Sequence, residues 1–136
     1  MGKTIVSCVE DRLPKIPSVE DYHRAIRSME LARALTDTRW KLLRTHCIAP
    51  GRMLTTLELA TAMGWATHAG VNLHYGELAA ELGRRMSWVA AADEPQSALV
   101  ARFEGGGGED PHTRWIMHDE LARALVLARV APPPRD

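Results

Sequence analysis

Along residues 67–86, Val71, Tyr75, Leu78, Leu82 and Met86 recur every three or four positions, the spacing of one buried helix face. Thr67 stands where a capping residue would open this helix. The same period predicts an earlier helix from Ser18 to about Leu35, with Val19, Tyr22, Ile26 and Met29 inward. Its first turn carries Glu20 and Asp21, where acids suit the helix dipole. Residues 36–51 predict a second helix with Trp40, Leu43 and Cys47 as its apolar stripe, ended by Pro50-Gly51. Thr55 followed by Glu58 is a capping box for a short helix with Leu57, Ala60 and Met63 inward, and Gly64 is placed to stop it.

Beyond residue 96 the pattern changes to that of strands. "SALVARFE" (97–104) and "TRWIMH" (113–118) have branched and aromatic content, and "GGGGEDPH" between them reads as a hairpin tip. "DELARALVLARV" (119–130) predicts a closing helix with Leu121, Leu125 and Ala128 on one side. At the other end, "TIVSCVE" (4–10) reads as a short strand. The pattern thus predicts a mainly α fold with a small antiparallel β-wing. Residues 1–35 form an N-terminal strand and helix extension, 36–130 a winged-helix-like domain, and 131–136 a disordered tail.

Composition narrows the function classes. With 136 residues, 46% apolar and 25% charged, the chain fits one globular domain. Its formal net charge is zero, so no strong overall field draws it to nucleic acid or membrane. Residues 1–52 are the more basic part, with ten Lys and Arg against six Asp and Glu; residues 93–136 carry five against eight. No apolar run reaches the roughly 18 residues of a membrane span. The two cysteines, Cys8 and Cys47, make no CxxC pair and predict free thiols in the cytoplasm.

Catalytic signatures are missing from the sequence. It contains no GxSxG, GxxxxGK[ST] or HExxH pattern and no dinucleotide fingerprint. The six histidines fall on different elements, so no metal site, cofactor or enzymatic activity is predicted.

Two glycines inside the 67–86 helix raise a separate question. Each costs roughly 1 kcal/mol relative to alanine in a helix interior. Gly76 and Gly83 lie seven apart, near Ala69 and Ala80, and Ala25, Ser28 and Ala32 make a similar stripe on the first helix. This predicts that the two helices cross closely, within one chain or across a dimer.

The segment from Trp40 to Met86, with "RWIMHDELARALVLARV" after it, resembles a small module found beside HNH-type endonuclease domains in bacterial restriction-like proteins. The motifs are Trp-x-Leu-Leu at 40–43, Thr-x-x-Glu-Leu-Ala at 55–60, Val-Asn-x-x-Tyr-Gly at 71–76 and Trp115. The resemblance implies a winged-helix-like DNA-recognition module, here with no nuclease attached. On that expectation His68, Asn72, Arg84 and Arg85 contact double-stranded DNA, and Arg102 and Arg114 on the wing touch phosphates. Glu77 and Glu81 on the same helix would repel phosphates.

The alternative is a small protein-binding factor from a phage or mobile element that inhibits or adapts a host nucleic-acid machine. Trp65 and Trp88, at the two ends of the long helix, are its candidate interface anchors. A homodimer joined through the N-terminal segment is also expected.

Overall fold

Ser18 opens the first described helix as the sequence predicts: its hydroxyl accepts from the Asp21 N–H at 3.1 Å. A computed structural model of the chain describes residues 16–106 and 110–133. The predicted strand at 4–10, with Cys8, and the end of the tail lie outside the described residues. Helix α1 spans Val19–Leu31 and buries Tyr22, Ala25, Ile26 and Met29. It stops short of Leu35 because Arg33 turns left-handed (φ 58°) and the Ala34 N–H returns to the Met29 carbonyl. The Tyr22 hydroxyl donates to the Leu99 carbonyl at 2.7 Å, tying α1 to the second half of the chain.

Helix α2, Asp37–Ile48, is capped by Thr36, whose hydroxyl accepts from the Arg39 N–H. Its inward stripe is rotated from the expected one. Leu42, Leu43 and His46 are buried, Cys47 is half-buried, and Trp40 is 37% exposed under the Arg44 guanidinium. Leu42, one position before Leu43, takes the inward place that the pattern gave to Trp40.

After a short turn at Pro50–Arg52, strand β1 covers Met53–Thr55. The sequence pattern did not predict this strand. Helix α3, Thr56–Met63, follows with both arms of the capping box formed: Thr55 Oγ1 accepts from Glu58 N, and Glu58 Oε1 accepts from Thr55 N. Leu59 and Ala60 face the core, whereas Leu57, expected inward, is exposed. Gly64 closes the helix at φ 75°, a conformation that costs glycine little.

Helix α4 runs from Ala69 to Arg84 and buries Val71, Tyr75, Leu78, Ala79 and Leu82, in close agreement with the periodic reading. Thr67 does not cap it through its side chain. The helix is entered through backbone bonds, Gly70 N–H to Thr67 O and Val71 N–H to His68 O. The strand expected over 97–104 is shorter: Gln96–Leu99 form a 3₁₀ turn, and strand β2 is Ala101–Glu104. Strand β3 is Arg114–Met117, and helix α5 is Asp119–Leu127.

The sheet is antiparallel in the order β1-β3-β2. Trp115 sits opposite both Leu54 and Phe103, so one face of the sheet points inward along this row. Arg102, Glu104, Arg114 and Met53 lie on the outer face. The described chain is therefore mainly helical with a small three-stranded antiparallel sheet around one apolar core. Helix α1 contributes to that same core and packs chiefly against α5.

Candidate functional site

The inner side of the sheet carries a buried polar chain. His46 is fully buried, with Nδ1 at 2.8 Å from the Tyr75 hydroxyl and Nε2 at 2.8 Å from the Trp115 carbonyl. A carbonyl only accepts, so Nε2 carries the proton and the Tyr75 hydroxyl donates to Nδ1. Burial, the dominant cause, pushes the imidazole down to about 4. Trp115 Nε1 donates to Thr56 Oγ1 at 2.8 Å, and Thr56 in turn reaches the Thr113 carbonyl. Tyr75 stacks on Trp115, and Phe103 meets that indole edge-on. Every member has a partner and none reaches solvent, so this network fastens α2, α3 and α4 to β3. Among the described residues, no group of three His, Cys, Asp or Glu side chains could hold a metal ion.

The six residues expected on DNA do not form one free basic surface. His68 and Asn72 are half-buried and each has an interaction within the chain. Arg85 donates to Ser28 Oγ at 2.7 Å and to Glu81 Oε2 at 2.9 Å. Arg102 and Arg114 both pair with Glu104, at 2.6 and 3.5 Å. Arg84 is exposed and makes no ion pair among the described residues.

Glu81 was expected to face solvent; instead it is clamped. Its Oε1 accepts from Arg39 at 2.8 Å while Oε2 accepts from Arg85. These bonds, Arg39 first, hold its carboxyl below the usual carboxylate range. Arg39 also donates to the Ala34 carbonyl, so the clamp joins α4 to α2 and to the end of α1. This arrangement was invisible in the sequence because Arg39 and Glu81 are 42 residues apart.

The two glycines of α4 have different surroundings. A Cβ on Gly83 would meet Gln96 Nε2 at 2.8 Å and the Trp88 carbonyl at 3.1 Å. A Cβ on Gly76 would meet nothing within 4 Å. Within one chain, the expected close crossing of α1 and α4 is therefore not formed at Gly76, and the close approach at Gly83 is to the 88–99 connection. Ala32 is exposed beyond the end of α1, and Ser28 is reached by the long side chain of Arg85.

What remains outward on α4 is mostly apolar. At 100° per residue, Ala69, Leu73, Gly76, Glu77, Ala80 and Arg84 share an arc of about 100°. Leu73 is 60% exposed at its centre. Glu77 and Arg84 are both exposed, and neither is engaged with another side chain among the described residues. Trp65 and Trp88 do not protrude beside this face. Both are half-buried against the core, with Trp65 stacked on His74 at 4.4 Å and laid over Gly70.

Comparison with known proteins adds no relative. No family profile, curated protein or solved structure matches this chain. Among the described residues, no helix is long and apolar enough to cross a membrane.

Proposed function

We propose that this chain is a non-catalytic recognition module that binds a partner protein through the outward face of α4. The observation that carries this reading is the composition of that face: Leu73 exposed at the centre, open space where a Cβ on Gly76 would stand, and small residues on either side. A buried helix interior needs no glycine at an open position, whereas a second backbone approaching closely does. The partner that fits is an amphipathic helix. It would carry a carboxylate opposite Arg84 and a basic group opposite Glu77.

The test is capture from nuclease-treated lysate of the native host, with photo-crosslinking from position 73. A single protein crosslinked to wild type and lost with Leu73→Glu supports the reading. Leu127→Glu, at an exposed leucine on α5, is the control that retains capture. Capture unchanged by Leu73→Glu overturns it.

Recognition of double-stranded DNA, by a winged-helix-like module, is the second reading. The order of elements favours it: two helices, α3 and α4, followed by a β2–β3 hairpin, with β1 completing the sheet. Duplex binding that weakens steeply with salt and falls with Arg84→Ala supports this reading over the first. A host nucleic-acid-handling protein as the captured partner and a homodimer read from sedimentation are further outcomes of these tests.

A further inference from the structure

A cleft of about 870 Å³ opens between the end of α2, the Pro50–Arg52 turn, α5 and Pro132–Pro133, away from the α4 face. We propose that it binds a small amphipathic monoanion, a carboxylate on a short hydrocarbon body. Three guanidiniums line it, those of Arg44, Arg52 and Arg123, against one carboxylate, Asp119. Three positive charges and one negative leave an excess of two in a cleft whose volume is in the range of small-molecule sites.

Asp119 is shared. Its Oδ2 lies 2.8 Å from Arg123 Nε and its Oδ1 3.6 Å from Arg52 Nη2. Arg52 is further positioned by its Nε–H, which donates to the Met117 carbonyl at 3.3 Å, and by a left-handed backbone at both Gly51 and Arg52. Each guanidinium has five N–H donors, so one carboxylate and one carbonyl leave most of them unmet. A carboxylate ligand would satisfy a pair of them in bidentate fashion.

The rest of the lining selects the body of the ligand. Ile48, Val126, Pro132 and Pro133 give apolar walls, and Ile48 is 54% exposed. The α2 C-terminus and the α5 N-terminus both border the cleft, so their opposite partial charges offset and the guanidiniums select the head group. A singly charged head with a hydrocarbon tail meets both conditions.

The probe is sodium octanoate, titrated into the ¹⁵N-labelled full chain. Saturable amide shifts should centre on Ile48, Arg52, Arg123 and Val126, with octanol and octylamine binding at least about tenfold more weakly, the factor given by 1.4 kcal/mol. Arg123→Gln should weaken octanoate while preserving the melting temperature, because Arg123 is exposed and pairs only with Asp119. Asp119→Asn should strengthen it by releasing two guanidiniums. Shifts that do not saturate, octanol binding as tightly as octanoate, or an Arg123→Gln variant that binds like wild type would each overturn the proposal.

Discussion

The Tyr75 hydroxyl donates to His46 Nδ1 at 2.8 Å with both side chains fully buried, 29 residues apart in sequence. The Trp115 carbonyl at Nε2 sets the tautomer of the imidazole, and the Tyr75 bond at Nδ1 joins α4 to α2. Burial of the ring makes the fold sensitive to acid in a specific window.

Folding lowers the His46 pKa to about 4, from about 6.5 in an unfolded chain. Above pH 6.5 the ring is neutral in both states, and its contribution is fully present. As pH falls, the unfolded chain takes up a proton that the folded chain excludes, so stability declines until the folded value is reached. The total is roughly 3 kcal/mol. Urea midpoints measured between pH 7 and pH 5 should fall, before most carboxylates titrate, and His46→Gln should flatten that slope.

The two α4 glycines should respond in opposite directions. Gly76→Ala should stabilise by roughly 0.5–1 kcal/mol, since the methyl enters open space and the helix gains propensity. Gly83→Ala should destabilise by roughly 1 kcal/mol, because overpacking against the Trp88 carbonyl exceeds the propensity gain. Thermal melts of the two variants side by side check both signs.

Removing the clamp carboxylate should loosen α4 from α2. Glu81→Ala leaves Arg39 and Arg85 facing each other and should cost roughly 1–2 kcal/mol. Because the Glu81 carboxyl is held below its ordinary value, its contribution is present above about pH 4.5 and is lost as pH falls through the depressed value. The wild-type minus Glu81→Ala difference in urea midpoint should therefore shrink in acid.

The hairpin gives a separate test of nucleic-acid binding. Glu104 engages Arg102 and Arg114 on the outer face of the sheet, and these bonds hold its carboxyl below the usual range. Glu104→Gln should leave the melting temperature unchanged. If the hairpin touches phosphates, the same variant should bind duplex DNA more tightly at low salt; equal binding would remove the hairpin from that reading.

What the sequence revealed was mostly local. The caps at Ser18 and Thr55, the stop at Gly64 and the buried row Val71–Tyr75–Leu78–Leu82 each depend on residues within a few positions. The rotation of α2 was harder to read, because Trp40, Leu42 and Leu43 are all apolar and only the surrounding helices decide which points inward. Gly76 and Gly83 are indistinguishable by spacing, yet the 88–99 connection covers one and leaves the other open. The candidate contacts suffered most. Arg85, Arg102 and Arg114 look available in sequence, yet Arg85 is held by Glu81 one turn away and by Ser28 across the fold, Arg102 by Glu104 two positions on, and Arg114 by Glu104 across the hairpin.

The sheet order β1-β3-β2 places the last strand of the chain in the middle. Among the described residues, Met53–Thr55 has no strand to pair with until Arg114–Met117 has been made, some 60 residues later. During synthesis, α1 to α4 can emerge and form their turns while the edge of β1 and the inner faces of Leu54 and Phe103 stay uncovered. Closure then depends on a single four-residue segment that also brings Trp115 to His46 and Tyr75. A nascent chain stalled before residue 114 is thus a helical intermediate with an unpaired strand, the form most exposed to chaperones and to aggregation.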